Sequence, residues 1–124
     1  MTILLYIAAL ITFAVGIAHS ILGERYLLTP LFRRRDLPWL FGSQDFTTRT
    51  LRFAWHITTI AWWGFAAILF LLARRSLAPR NVALILAAAY LSSGLLTLLV
   101  SRGKHLAWLA FLFVGVVCLL AALA

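Results

Sequence analysis

Four long apolar stretches dominate this chain and leave few folds open to it. They cover residues 2–22, 51–73, 82–100 and 106–124. Each is close to the ~20 residues that a helix needs to cross a hydrocarbon core of ~30 Å. Because lipid offers the backbone no hydrogen-bond partners, stretches of this kind cross a membrane as helices. The sequence therefore predicts an all-α membrane protein with four transmembrane helices in an antiparallel up-down bundle.

Composition agrees with a membrane protein and excludes several other classes. Of the 124 residues, 65% are hydrophobic and the mean hydropathy is +1.04, more apolar surface than a soluble domain of this size can bury. The lone Cys118 excludes an intramolecular disulfide, and with it the thiol oxidoreductases that need paired cysteines. We expect one domain over residues 1–124.

Turn and capping residues set the expected helix boundaries. We predict helices at about residues 2–22, 46–73, 81–101 and 104–123, with an interfacial basic connector at 24–45. Gly23 is expected to end the first helix, and Pro30 and Pro38 to keep the connector from being helical. Ser43 or Asp45 can cap the second helix and Asn81 the third. The short link at 101–104 predicts a helical hairpin.

Charge sets the expected orientation. The net charge is +8, and we call the "basic end" the end where the first and third helices finish and the second and fourth begin. The positive-inside rule places this end in the cytoplasm and both termini on the opposite, periplasmic side. Eight of the eleven cations lie there: Arg25, Arg33, Arg34, Arg35, Arg49, Arg52, Arg102 and Lys104.

The cations do not predict a nucleic-acid-binding protein. They stand at helix ends and in short connectors, which is typical of topology determinants, and no nucleic-acid-binding motif accompanies them. The Arg33–Arg35 run, flanked by Phe32, Trp39 and Phe41, is instead expected to lie on anionic lipid headgroups. The bilayer is therefore the predicted partner, and the sequence leaves homo-oligomer formation open.

Each helix carries one stripe of small or polar residues, and we expect these stripes to face a shared polar interior. Within it, the three histidines, one on each of three helices, fall near the basic end. Their predicted depths place them below a cytoplasm-facing rim of charged residues. The stripes are Thr12, Gly16, His19 and Gly23; Arg49, Arg52, His56, Thr59 and Trp63; Tyr90, Gly94, Thr97 and Ser101; and His105, Trp108 and Leu112.

One hypothesis for this pocket is a metal or haem site. The three imidazoles of His19, His56 and His105, together with the carboxylate of Glu24, could hold a transition metal. Alternatively, two histidines on facing helices could ligate a b-type haem while nearby arginines neutralise its propionates.

A second hypothesis is an anion or lipid-headgroup site. The donors are Arg49, Arg52, Ser101, Arg102 and Lys104, which suit a phosphate or carboxylate. A phospholipid, a polyprenyl phosphate or a quinone-like molecule would fit this chemistry, and the sequence leaves open whether any reaction is catalysed.

A third hypothesis is a structural or assembly protein whose histidines only bond to neighbouring helices or to Glu24. Transport is less favoured. A chain this short would have to dimerise to enclose a pathway, and Glu24 stands at a helix end rather than at the bilayer midplane.

Two segments resemble a known group of proteins. His19-Ser20-Ile21-Leu22-Gly23-Glu24, followed by Arg49-x-x-Arg52-x-x-Trp55-His56-x-x-Thr59, is similar to a pattern in small bacterial four-helix membrane proteins of unassigned function. The resemblance covers the first two helices, with Arg102-Gly103-Lys104-His105 as a weaker third match. It implies a bacterial inner-membrane location and transfers no catalytic role to any residue.

Overall fold

The computed structural model describes all 124 residues as a helical protein without β-strands. The four predicted helices are present: α1 (Thr2–Phe32), α2 (Gln44–Ala73), α3 (Pro79–Ser101) and α4 (Ala107–Leu123). The first three are long and apolar enough to cross a membrane, which supports a multi-pass membrane protein. The 17 residues of α4 extend about 26 Å at 1.5 Å per residue.

Helix α1 continues past Gly23, so the prediction that this glycine ends the helix is wrong. An α-helical part, Thr2–Leu22, leads into a π-helical turn, Gly23–Leu28, and a last α-helical turn, Thr29–Phe32. Gly23 keeps ordinary helical angles, φ −62° and ψ −47°. Since π-turns add a residue to the helix, they rotate the side chains that follow and are common at functional sites.

The expected break at Pro30 is also absent, and the non-helical connector is 33–43 rather than 24–45. Pro30 is the second residue of the last α-helical turn, Thr29–Phe32, which follows the π-turn directly. The connector is held over the start of α2 by Thr47, whose hydroxyl donates to the Pro38 carbonyl at 2.6 Å and accepts from the Leu40 N–H at 3.2 Å.

The capping predictions meet different outcomes at α2 and α3. Ser43 caps α2, with its Oγ accepting from the Phe46 N–H at 3.1 Å. Asn81 does not cap α3, because that helix already begins at Pro79. Instead, the Asn81 amide donates to the Ser76 carbonyl at 2.9 Å. Proline is well suited to this first position, since its fixed φ matches a helix.

The helices pack in chain order, α1 on α2, α2 on α3 and α3 on α4, and no other pair of the four packs extensively. Helix α2 therefore separates the stripe of α1 from that of α3, and the prediction of one shared polar interior is wrong. Contacts along the first pair include Tyr6–Phe70, Phe13–Trp63 and Ser20–His56. Only 16 of the 124 residues are buried, which leaves long apolar faces of α1 and α4 exposed.

Small residues bring α3 and α4 into close contact, as their stripes predict. A Cβ added at Gly94 would lie 2.7 Å from a methyl carbon of Leu112, and one at Gly115 would lie 2.7 Å from Leu91. Each glycine thus receives a leucine from the other helix. The chain reverses between them at Arg102 and Gly103, which have φ of 53° and 75°.

Candidate functional site

A chain of hydrogen bonds centred on His56 joins α1 to α2. His56 Nε2 lies 3.2 Å from Glu24 Oε2, and Nδ1 lies 2.9 Å from Ser20 Oγ. Ser20 Oγ lies 2.9 Å from Thr59 Oγ1, which donates to the Gly16 carbonyl at 3.4 Å. We call these groups the His56 chain. It runs from a carboxylate near the basic end to a backbone carbonyl deeper between the helices.

Glu24 anchors the outer end of the His56 chain and is well supplied with donors. Arg52 reaches both carboxylate oxygens, at 3.3 Å through Nε and 3.0 Å through Nη2, and the Thr29 hydroxyl donates at 3.4 Å. The Arg52 guanidinium also stacks over the Phe32 ring, 4.9 Å from its centroid. With 40% of Arg52 and 34% of Glu24 exposed, this ion pair contributes at most about 1 kcal/mol.

The π-turn of α1 brings Thr29 to the carboxylate of Glu24. Glu24 is the second residue of that turn. Thr29 follows the last residue of the turn, and its hydroxyl contacts the Glu24 carboxylate. The carboxylate lies four residues after Ser20 on the same helix, so both side chains face α2. Helical spacing thus directs Glu24 at His56 and Arg52, and the π-turn adds Thr29 to its partners.

His19 lies outside the His56 chain although it precedes Ser20 directly. Its ring stacks on Trp55, with centroids 4.2 Å apart and planes 6° apart, and it also contacts Trp62. Its Nε2 lies 2.9 Å from the Thr58 hydroxyl. One residue along a helix is a rotation of about 100°, which turns His19 away from Glu24.

His105 occupies a third, separate environment at the α3–α4 turn. Its ring lies 5.7 Å from that of Phe46 and 5.0 Å from that of Phe53, and its Nδ1 accepts from the Ala107 N–H at 3.3 Å. It is thus the histidine closest to the start of α4, on the side of α2 that packs against α3.

The four residues predicted to bind a metal, His19, Glu24, His56 and His105, are therefore not brought together. Only Glu24 and His56 touch, and no three His, Cys, Asp or Glu side chains are grouped closely enough to hold a metal ion. Both ring nitrogens of His56 already have protein partners, which leaves neither free to ligate a haem iron.

Of the five residues predicted to bind an anion, four lie together where α2 meets the α3–α4 turn, and Arg52 lies apart from them. Arg49 donates to Asp45 Oδ2 at 2.8 Å and to the Val100 carbonyl at 3.0 Å, while Arg52 is bound to Glu24. Ser101 is buried, and its Oγ accepts from the His105 N–H at 3.4 Å. The remaining two cations, Arg102 and Lys104, are exposed and have no acidic partner.

A groove of about 450 Å³ lies beside Lys104. Aromatic side chains of the connector and of α2 form one wall, and the start of α4 forms the other. Lys104 supplies the positive charge at its edge. The lining residues are Phe41, Ser43, Phe46, Lys104, His105, Leu106 and Ala107.

The contact order Ser20, His56, Glu24 invites comparison with a nucleophilic triad. A triad needs free donors to stabilise an oxyanion beside the nucleophile. Ser20 lies inside α1, where the backbone N–H groups are bound to carbonyls of the preceding turn, and its Oγ also contacts Thr59. The arrangement is suited to holding protons, and it lacks the donors for acyl transfer.

Two participants, Ser20 and Thr29, were not among the residues predicted from sequence. The predicted stripe of α1 passes through His19, the residue before Ser20, because the glycines at 16 and 23 share the face of His19. The four-residue spacing of Ser20 and Glu24 was a usable signal. The role of Thr29 depends on the π-turn, which has no sequence signature.

No protein-family model, curated protein or solved structure matches this chain. The function therefore has to be argued from its own geometry.

Proposed function

We propose that this chain is a four-span protein of the bacterial inner membrane that binds anionic lipid at its basic end. The proposed protein has an antiparallel up-down arrangement with the basic end in the cytoplasm. At that end, cations with no carboxylate within 4.0 Å form a phosphate-binding surface.

The arrangement is supported by contacts between neighbouring helices. Positions rise along one helix as they fall along the next: Tyr6 meets Phe70 and Ser20 meets His56. The same holds between α2 and α3, since Gly64 lies by Ile85 while Arg49 reaches Val100. Helix α4 is entirely apolar over its 17 residues, so local thinning of the bilayer would let it span.

The observation that carries the lipid-binding part is the excess of unpaired cations. Acidic partners within 4.0 Å engage only Arg34, Arg49 and Arg52. Near an anionic leaflet, each basic residue adds about 1 kcal/mol of attraction. The five cations of the basic end without an acidic partner are Arg25, Arg33, Arg35, Arg102 and Lys104.

The groove beside Lys104 suits the rest of a lipid molecule. Its aromatic wall, Phe41 and Phe46, can cover the glycerol and the first part of an acyl chain while Lys104 binds the phosphate. Trp39 and Phe41 are 70% and 90% exposed in the neighbouring connector. Aromatic side chains with this exposure are typical of the membrane interface.

Native mass spectrometry of the detergent-purified protein tests lipid binding. We expect retained phosphatidylglycerol in preference to phosphatidylcholine, and loss of that preference in the double variant Arg102→Gln/Lys104→Gln. The matched control is Arg74→Gln/Arg75→Gln, which removes two cations from the opposite end. Equal retention of both lipids by the unmodified protein would overturn the proposal.

Topology is tested separately with reporter fusions. Alkaline phosphatase, which is active only outside the cytoplasm, should be active after Ala124 and inactive when inserted after Gly42 in the connector. A reporter that works only in the cytoplasm should give the reverse pattern. Activity of this second reporter after Ala124 would contradict the proposed orientation.

A structural or assembly role is the second candidate, favoured because the His56 chain satisfies its own polar groups. In that case the protein would retain no lipid selectively. Removal of the hydroxyls of the His56 chain would still destabilise the α1–α2 pair. A metal or haem function is not proposed, because the predicted ligands lie in three separate environments.

A further inference from the structure

We propose that His56 is a proton-binding site, and that binding a proton reverses the two hydrogen bonds between His56 and Ser20 and between Ser20 and Thr59, so that Thr59 is free to donate to the Gly16 carbonyl. The inference is independent of lipid binding. The packing of α1 on α2 fixes the heavy-atom distances of four contacts: Glu24–His56, His56–Ser20, Ser20–Thr59 and Thr59–Gly16. The number of protons available decides which of these contacts can be hydrogen bonds.

The neutral form of His56 has one ring proton, and the carboxylate of Glu24 requires it on Nε2. Nδ1 must then accept, so the Ser20 hydroxyl donates to it. With its proton used, Ser20 can only accept from Thr59. Thr59 then has no proton left for the Gly16 carbonyl, and the fourth contact has no donor.

The charged form makes all four contacts at once. Nε2–H donates to Glu24 and Nδ1–H donates to Ser20, whose own proton turns to Thr59. Thr59 in turn donates to the Gly16 carbonyl, at 3.4 Å. The change needs one proton from water, added to the Nδ1 lone pair, and rotation of two hydroxyl groups. No heavy atom has to move.

The charges around His56 are few and can be named. From α1 it faces Glu24, and from its own helix Arg52, which shares that carboxylate. His19 is turned to Thr58. Helices α3 and α4 bring no titratable group to it, because they pack on the other face of α2, where His105 meets Phe46 and Phe53.

The proton has a route to the ring. The side chains of His56 and Glu24 are 25% and 34% exposed, whereas Thr59 is buried with 2% exposed. Protons therefore exchange at the outer end of the His56 chain, and the hydroxyl rotations carry the change to a buried carbonyl. A change at the basic end is in this way transmitted along the helix pair.

Nuclear magnetic resonance of the full chain in detergent micelles tests this directly. With ¹⁵N-labelled histidine and ¹³C-labelled glycine carbonyl, a pH titration should show His56 Nδ1 changing from acceptor to donor. The Gly16 carbonyl shift should change with the same midpoint. The link should be lost in Thr59→Val and retained in Thr59→Ser, which keeps the hydroxyl.

Thr58→Val is the matched control, because it removes the Thr58 hydroxyl that contacts His19 and leaves the His56 chain intact. It should not alter the Gly16 response. The proposal is overturned if His56 Nδ1 remains an acceptor throughout the titration, or if Gly16 fails to follow His56 in the unmodified protein. If Thr59→Val does not fold, Ser20→Ala breaks the same chain one contact earlier.

Discussion

The indole of Trp55 lies directly against the backbone of Gly23, in the space that any side chain at position 23 would need. Its Nε1 donates to the His19 carbonyl at 3.0 Å. Two turns deeper, Trp63 repeats the relationship: its Nε1 would be 2.7 Å from a Cβ at Gly16 and donates to the Phe13 carbonyl at 3.3 Å. Two glycines thus let two tryptophans fasten α1 to α2.

Substitution of Gly23 by alanine should destabilise the α1–α2 pair by about 1–3 kcal/mol, the usual cost of overpacking a tight contact. The indole has to move, and its hydrogen bond to His19 weakens with it. Gly64→Ala is the control, because a Cβ there would lie 3.6 Å from Ile85, an ordinary contact. Reversible unfolding in mixed micelles measures the stability of both variants. Equal free energies of unfolding for Gly23→Ala and Gly64→Ala would contradict this account.

The sequence predicted the parts of this fold that follow from helical periodicity. Four apolar stretches predicted four helices. In the predicted stripe of α2, the residues from Arg52 to Trp63 face α1, whereas Arg49 reaches α3. The glycines of the stripes also lie at helix contacts, as small residues in membrane helices usually do. These predictions needed only the 3.6-residue period and the lengths of the apolar segments.

Two features of the site depend on information that periodicity does not contain. The first is the π-turn Gly23–Leu28, which brings Thr29 to the carboxylate of Glu24. The second is the order in which helices pack. Depth along each helix placed three histidines at one level, but helices packed side by side leave His105 on the far side of α2 from Glu24.

Thr47 should control how firmly the connector is held to α2. Its side chain is buried, and Thr47→Val removes one hydrogen bond to Pro38 and one from Leu40 while preserving shape. We expect a loss of about 1–3 kcal/mol, because two hydrogen bonds of about 0.5–1.5 kcal/mol each are removed. Amide hydrogen exchange at Leu40 and tryptic cleavage at residues 33–35 should both accelerate.

Thr48→Val is the control for this change. The Thr48 hydroxyl donates only to the nearby Asp45 carbonyl at 3.0 Å and is not bound to the connector. Exchange at Leu40 should therefore be unaffected. If Thr48→Val accelerates exchange as much as Thr47→Val, the connector is not held by the Thr47 hydroxyl.

The Arg34–Asp36 pair in the connector makes a pH-dependent prediction. The Arg34 guanidinium donates to both oxygens of Asp36, at 2.9 and 2.6 Å, and these bonds lower the pKa of that carboxyl from 3.8 to about 2. Because the pKa falls on folding, the pair stabilises the folded connector above pH 3.8, and this effect is lost as pH falls toward 2.

Arg34→Gln should return the pKa of Asp36 toward 3.8, as measured from the ¹³C shift of its carboxyl carbon. Added salt should raise it in the unmodified protein, because both side chains are more than half exposed. Arg33→Gln is the control, since Arg33 has no carboxylate contact. An Asp36 titration that is identical with and without Arg34 would exclude the bidentate pair.

Arg49 should be the main polar link between α2 and α3. It reaches across to the Val100 carbonyl near the end of α3, where the last carbonyls of a helix lack partners in their own backbone. A cation at that end also interacts favourably with the helix dipole. Arg49→Met keeps the apolar stem and removes the donors, so we expect a loss of about 1–3 kcal/mol in unfolding free energy.

Two further variants separate this capping role from simple charge. Asp45→Asn breaks only the Arg49–Asp45 pair, whose carboxylate side is 55% exposed, and should cost at most about 1 kcal/mol. Arg102→Gln removes an unpaired exposed cation from the same turn and should change stability by less than about 0.5 kcal/mol. A loss in Arg49→Met no larger than that in Asp45→Asn would mean that the bond to Val100 contributes nothing. A larger loss, with faster hydrogen exchange at residues 98–103, would identify Arg49 as the cap that joins the α1–α2 pair to the α3–α4 pair.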